Sequence, residues 1–127
     1  MADPKTILIA DDEQQLALAL KIRLQANSYR VVTAHDGAQA LELVAKEQPD
    51  LIILDVMMPV MDGYSCLKEL QNRFGRGTIP VIILTARDRM KDLFELEGIA
   101  DYVIKPFDYE DLLVRIDRVF KKRQPIA

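Results

Sequence analysis

The stretch LIILDVMMPVMDGY, residues 51–64, joins four aliphatic residues to an aspartate, then to a proline and an Asp-Gly pair. An apolar run without alternation predicts a strand covered on both faces, as in a parallel sheet. Burial disfavours a charged carboxylate, so Asp55 at the end of such a strand indicates a chemical role. The Asp62-Gly63 pair predicts a turn, in which Gly63 tolerates positive φ.

Two further continuous apolar runs, residues 7–10 and 81–84, predict interior strands, and the mixed segments 29–34 and 101–104 predict edge strands. Between the runs, apolar residues recur at helical spacing over residues 16–24, 40–45, 67–74, 90–96 and 112–120. Ile22 is expected to widen the first buried stripe. Strand and helix alternate five times, so we predict an α/β fold. It is a doubly wound, five-stranded parallel sheet of order 2-1-3-4-5 with five helices, flavodoxin-like.

Length and composition limit the class of protein. At 127 residues the chain is long enough for one domain, 1–127, and residues 122–127 are either the start of a linker or a free C-terminus. The net charge of −3 argues against direct binding of nucleic acid. A single cysteine excludes an internal disulfide and fits a reducing compartment. Without a signal peptide or a bilayer-spanning apolar run, we expect a cytoplasmic protein with no membrane contact.

Polar side chains follow four of the predicted strands: Asp11 and Asp12, then Asp55, Thr85 and Lys105. Ligands of open α/β sheets bind beyond the carboxyl ends of the strands, where the strand order reverses. Three carboxylates brought together there repel one another unless a cation intervenes, and all-oxygen ligation suits Mg²⁺, or Mn²⁺. An acidic metal pocket with a lysine and a threonine beside it fits a phosphoryl group.

Each of these residues also has an ordinary explanation. Asp11 and Asp12 could cap the first helix, Asp55 could be a turn residue, and Thr85 could cap the fourth helix. Lys105 could be a solvated surface lysine. Their coincidence at four strand ends favours a functional site.

The segments ILIADDE (7–13), LIILDVMMPVMDGY, VIILTA (81–86) and YVIKPF (102–107) together resemble the receiver domain of two-component response regulators. The resemblance implies that Asp55 is the phosphoacceptor. It also implies that Asp12, Asp55 and the backbone carbonyl of Met57 bind Mg²⁺ directly, while Asp11 acts mainly through water.

The same resemblance assigns a switch. Lys105, which precedes a cis bond to Pro106, is expected to pair with phosphoryl oxygens, and Thr85 and the Ala86 N–H are expected to bond to them. Tyr102 turns inward as Thr85 moves and reshapes the surface of helix 4, strand 5 and helix 5. Met57 and Arg87 flank the path of hydrolytic water and modulate hydrolysis. The segment 85–105 is a little shorter than the common pattern, so helix 4 is expected to be short, shifted or mobile.

The predicted function is therefore a phosphorylation-controlled signalling switch, not a turnover enzyme. A sensor histidine kinase or a phosphotransfer protein supplies the phosphoryl group, and an unidentified downstream protein or output domain responds. The domain is expected to be a monomer or a weak, phosphorylation-dependent dimer. The alternative is a Mg²⁺-dependent phosphatase or phosphotransferase that passes through an aspartyl phosphate. Such enzymes usually carry a second acid two residues after the nucleophile, where this chain has Met57.

Overall fold

The fold is built on a central sheet of five parallel strands. The structure, a computed structural model, describes residues 4–86, 91–95 and 97–123, with residues 92 and 93 by their backbone alone. The strands are β1 (Thr6–Ala10), β2 (Arg30–Ala34), β3 (Leu51–Leu54), β4 (Val81–Thr85) and β5 (Asp101–Ile104). They pair in the order β2-β1-β3-β4-β5, and every pairing is parallel. The predicted fold class and strand order are confirmed.

Helices cover both faces of this sheet. Within the described residues they are α1 (Gln14–Ala26), α2 (Gly37–Glu47), α3 (Gly63–Phe74), α4 (Lys91–Glu95) and α5 (Tyr109–Lys122). One core lies beneath α1 and α5, and a second lies beneath α2, α3 and Phe94 of α4. We find no described helix that combines the length and the apolar character needed to cross a bilayer.

The interior strand β3 shows why its sequence is continuously apolar. Leu51 and Ile53 belong to the core beneath α1 and α5, whereas Ile52 and Leu54 belong to the core beneath α2 and α3. All four are at most 1% exposed. Because successive side chains of a strand point to opposite faces, both faces need apolar residues. The two layers hold β3 rigidly, and so fix the direction in which its end points.

Helix α1 departs from the predicted stripe. Ala17, Leu20 and Leu24 are buried as expected, but Ile22 is 58% exposed and its neighbour on that face, Leu18, is 57% exposed. The prediction that Ile22 widens the buried face is wrong. Apolar residues occupy much of the circumference of α1, so their spacing does not identify the covered face.

The loop between β3 and α3 corrects a second prediction. Gly63 is the first residue of α3 and does not have positive φ. The preceding Asp62 is the N-cap, and its side chain accepts a hydrogen bond from the Ser65 N–H. A Cβ on Gly63 would lie 2.3 Å from the carbonyl oxygen of Asp55 and 2.7 Å from the Cα of Val56. This position needs glycine because two backbones approach closely, not because of the turn.

Val60, in the same loop, has a φ of 68° and is 82% exposed. A β-branched side chain in the left-handed region is strained by about 1–2 kcal/mol. We expect Val60→Gly to raise the free energy of unfolding by about 1 kcal/mol, since relief of strain outweighs the backbone entropy that glycine loses. Equilibrium urea unfolding measures this change.

The control for Val60 is Val114→Gly, at an exposed valine in the middle of α5. Its helical backbone holds no such strain, so glycine there is expected to lower the free energy of unfolding by about 0.5 kcal/mol. Equal losses at both positions would contradict the strain assigned to Val60.

Helix α4 is tied to the rest of the fold by aromatic and polar contacts. The ring of Phe94 lies 5.5 Å from that of Tyr64 and 5.9 Å from that of Tyr102. The Tyr64 hydroxyl donates to Glu97 just beyond α4, and Lys68 forms an ion pair of 2.9 Å with the same carboxylate. Residues 87–90 and 96 lie outside the described residues, so a short or shifted α4 stays a prediction.

The C-terminal segment is described as far as residue 123. Helix α5 includes Lys122, and the Arg123 guanidinium donates to the carbonyl oxygens of Gly77 and Thr78. Residues 124–127 lie outside the described part of the chain. The domain bounds 1–127, with 122–127 as a linker or a C-terminus, therefore stay a prediction.

Candidate functional site

Two buried carboxylates lie side by side where β1 and β3 end. Ala10 pairs with Leu54 in the parallel register, and the Asp55 N–H donates to the carbonyl oxygen of Ala10 over 2.9 Å. The next residue of each strand, Asp11 and Asp55, is 1% and 3% exposed, respectively. The strands therefore bring both acids to one edge of the sheet, as the sequence predicts.

Asp12 completes a group of three acids. Asp11, Asp12 and Asp55 each offer a carboxylate oxygen within 4.8 Å of the others, and Asp12 is exposed while its two neighbours are buried. The set is all oxygen, and its exposed side leaves room for water ligands. These properties fit Mg²⁺ or Mn²⁺, which prefer carboxylates and retain several waters. The metal-ligand roles of the three residues stay predictions.

Lys105 supplies the positive charge of this site. Its ammonium donates to Asp11 Oδ2 and to Glu13 Oε1, both over 2.9 Å, and lies 3.5 Å from Asp55 Oδ2. Burial opposes the charge on Lys105, but the hydrogen bonds to Glu13 and Asp11 prevail and raise its pKa. The Lys105 N–H donates to the Thr85 carbonyl oxygen, which joins the ends of β5 and β4. The Lys105-Pro106 bond is cis, as the resemblance implies.

Glu13 is the contact that the sequence reasoning missed. The signal for it was present, because the run Asp11-Asp12-Glu13 contains three acids. Only the folded chain brings Glu13 to Lys105, which is 92 residues further along.

Two of the ordinary explanations do not hold. The N-cap of α1 is Glu13, not Asp11 or Asp12. The Lys105 side chain is only 12% exposed, so it is not a solvated surface lysine.

The electrostatics of Asp55 differ from those of an ordinary aspartate. Burial, followed by the nearby negative charge of Asp11, raises the pKa of Asp55 from 3.8 to about 6. The charge of Lys105 and the Met57 N–H, which donates to Asp55 Oδ1 over 3.2 Å, lower it in part. The negative charge of ionised Asp55 therefore lowers the stability of the fold, a cost in free energy that a divalent cation would offset.

This cost predicts a pH dependence of stability. Between about pH 4 and pH 6 the folded chain keeps the Asp55 proton that the unfolded chain has lost, so the free energy of unfolding falls as pH rises through this window. Allowing for solvent screening, the loss is about 1–2 kcal/mol and is complete above pH 6 to 7. Urea unfolding in a chelating buffer, compared with Asp55→Asn at each pH, isolates this contribution. A difference between the two proteins that does not change from pH 4 to pH 7 would contradict it.

The remaining predicted residues lie at or near this edge of the sheet. Thr85 is the last residue of β4 and is fully buried, and Ala86 is exposed and lines a surface groove with Lys105. Tyr102, within β5, is 6% exposed, so its ring points into the fold. The Met57 side chain is 51% exposed beside Asp55. Arg87 lies outside the described residues. The roles assigned to these residues stay predictions.

Cys66 can be set aside as a second nucleophile. The thiol is fully buried in α3, and burial, with the negative charge of Asp62, raises its pKa to about 12. Both properties fit a packing residue.

Comparisons with known proteins point to one family. Residues 7–117 match the family described as response regulator receiver domain. The response regulator GtcR of Aneurinibacillus migulanus is 39% identical, over 95% of this chain and 51% of GtcR. The chain spans about half the length of the curated relatives it matches.

Solved structures give the same result. The receiver domain of the Francisella response regulator 1452 superimposes with a TM-score of 0.85 and 34% identity, over 94% of this chain and 99% of that one. The response regulator TrrA of Thermotoga maritima, in complex with Mg²⁺ and BeF, superimposes with a TM-score of 0.81 and 30% identity, over 91% and 98% of the two chains.

Proposed function

Because the chain belongs to the family of response regulator receiver domains, we propose that it is a signalling switch that accepts a phosphoryl group on Asp55. The observation that carries this proposal is the position of the Asp55 carboxylate. It ends a rigid buried strand, within 4.8 Å of oxygens of Asp11 and Asp12 and 3.5 Å from the ammonium of Lys105. A carboxylate so placed can act as a nucleophile whose product is held by fixed charges.

In the proposed reaction an oxygen of Asp55 forms a bond to phosphorus as the bond between phosphorus and the donor breaks. The donor atom is a histidine nitrogen of a sensor histidine kinase or phosphotransfer protein, or an oxygen of a small phosphate donor. Asp11, Asp12, Asp55 and the Met57 carbonyl would hold Mg²⁺, which supplies charge neutralisation when bound. Lys105 would pair with phosphoryl oxygens, and Asp11, which already binds Lys105 over 2.9 Å, would orient it.

The proposed response involves Thr85, Ala86 and Tyr102. The Thr85 hydroxyl and the Ala86 N–H would bond to phosphoryl oxygens, and the burial of Tyr102 against Phe94 would link this change to the surface formed by α4, β5 and α5. Phosphorylation would then shift the population between two forms of that surface. A downstream protein or an output domain would distinguish the two forms.

The direct test is phosphorylation by acetyl phosphate in Mg²⁺, followed by intact-protein mass spectrometry. We expect one phosphoryl group per chain, and none when a chelator removes the divalent cation. Steady release of nitrophenol from p-nitrophenyl phosphate, over many turnovers, would instead favour the phosphatase alternative. Absence of a phosphorylated form after incubation with acetyl phosphate and Mg²⁺ would contradict the proposed function.

We also expect the phosphorylated form to be long-lived. Met57 has no group that can act as a base for hydrolytic water, and the same holds for the guanidinium of Arg87. Loss of the phosphoryl group should therefore take minutes or longer, measured by mass spectrometry after the donor is removed. Met57→Glu places a carboxylate beside Asp55 and should change this rate, whereas Val60→Glu, in the same exposed loop, should not. Loss within seconds in the unsubstituted protein would refute the expectation.

A further inference from the structure

We propose that Glu13 is a positioning residue that holds the Lys105 ammonium in competition with the incoming phosphoryl group, and so slows phosphorylation of Asp55. The inference rests on the proposed function, because it concerns the rate of the same reaction. It deepens that function by naming a residue that sets how readily the site accepts a phosphoryl group.

The distances around Lys105 support the competition. A lysine ammonium has three N–H donors. Two of them reach Asp11 Oδ2 and Glu13 Oε1 over 2.9 Å, but Asp55 Oδ2 lies at 3.5 Å, beyond a good hydrogen bond. The ammonium is therefore held toward Asp11 and Glu13. One N–H is left for phosphoryl oxygens on Asp55, but a closer approach or a second hydrogen bond to them requires the ammonium to give up one of these two partners.

Exposure decides which partner yields. The Asp11 side chain is 2% exposed, so water cannot take the place of Lys105 around it. The Glu13 side chain is 60% exposed, and water can take the place of Lys105 around it. An ion pair with such an exposed partner changes an equilibrium by only about two- to five-fold. Glu13 is thus a weak competitor that can be displaced, and its effect should appear in the rate.

The position of Glu13 in the chain makes this effect separable from folding. Glu13 is the N-cap of α1, but its side chain makes no capping hydrogen bond. Its backbone N–H donates to Asp11 Oδ1 over 2.9 Å, a bond that any residue other than proline can supply. Glu13→Gln therefore removes the charge that binds Lys105 while it preserves the start of α1.

The experiment compares the unsubstituted protein, Glu13→Gln and Glu42→Gln, each as the 127-residue chain. Glu42, an exposed residue of α2, serves as the control for the loss of one negative charge. Three quantities are measured: the phosphorylation rate at subsaturating acetyl phosphate, the affinity for beryllofluoride in Mg²⁺ by fluorine NMR, and the affinity for Mg²⁺ alone by calorimetry. The last two do not depend on turnover.

We expect Glu13→Gln to be phosphorylated about two- to five-fold faster and to bind beryllofluoride more tightly by a similar factor. Its affinity for Mg²⁺ alone should be unchanged or lower, because a nearby negative charge is gone. General damage to the site would weaken all three quantities together. Glu42→Gln should match the unsubstituted protein.

Two results would overturn the inference while the proposed function stands: Glu13→Gln phosphorylated no faster than the unsubstituted protein, or Glu42→Gln accelerated to the same degree. If the unsubstituted protein itself takes no phosphoryl group on Asp55, the proposed function fails and this inference fails with it.

Discussion

Asp55→Asn is expected to reduce incorporation of phosphoryl groups at least about a thousand-fold, to below detection, because an amide is a poor nucleophile and the substitution removes the acceptor atom itself. The change is nearly isosteric, so the buried end of β3 keeps its shape. Acetyl phosphate with Mg²⁺, read out by intact-protein mass spectrometry, measures the effect.

The same substitution is expected to stabilise the fold. At pH 7 it removes a buried negative charge whose pKa is raised to about 6 by burial and by Asp11, so the free energy of unfolding should rise by about 1–2 kcal/mol. A gain in stability together with a loss of function distinguishes a functional carboxylate from a structural one, because removal of a structural group costs stability.

Asp36→Asn is the matched control for Asp55. Asp36 is the N-cap of α2, where its side chain accepts a hydrogen bond from the Gln39 N–H. Asparagine caps helices about as well as aspartate, so neither stability nor phosphorylation should change measurably. Phosphorylation that persists in Asp55→Asn at the level of this control would show that another residue is the acceptor.

Gly63→Ala carries the second large effect, on stability. Helix propensity alone predicts a gain of up to about 1 kcal/mol for alanine at a helical position. The new methyl group would, however, lie 2.3 Å from the Asp55 carbonyl oxygen and 2.7 Å from the Val56 Cα, and neither backbone atom can rotate away. We expect the clash to prevail and to lower the free energy of unfolding by about 3 kcal/mol, measured by urea unfolding.

Gly77→Ala separates the clash from conformational strain. Gly77 has a φ of 75°, but a Cβ there would meet no atom within 4 Å. Alanine at this position should cost about 1 kcal/mol, from the backbone alone. If Gly63→Ala proves as stable as the unsubstituted protein, the close approach of α3 to the end of β3 is not tight.

The sheet and the position of the site were predictable because both depend on short-range patterns. The run at residues 51–54 is apolar on both faces, which identifies an interior strand of a parallel sheet. Parallel strands end at one edge, so the residues that follow them, Asp11, Asp55 and Lys105 among them, had to meet there. Distances of 2.9 to 3.5 Å from Lys105 to the two buried acids agree with this reasoning.

Other features depended on how separate elements approach each other, which the spacing of residues does not encode. Glycine is needed at position 63 because the backbone of Asp55 lies against it. The Asp-Gly pattern instead suggests a role in the turn. Ile22 lies on an apolar stripe of α1 but faces solvent, since no other element among the described residues covers that side. The partner of Glu13 is 92 residues away in sequence. Each of these depends on tertiary packing rather than on local preference.

The exposure of Leu18 and Ile22 on α1 bears on how such a domain can diversify. Substitutions on that outer face remove few buried contacts and should rarely change the free energy of unfolding by more than about 0.5 kcal/mol. Such substitutions lie on the outer face of a helix, whereas the ends of strands within the sheet hold the acids of the site. Duplicated copies of the gene could therefore drift apart in the helix faces they present to other molecules while retaining identical chemistry at Asp55.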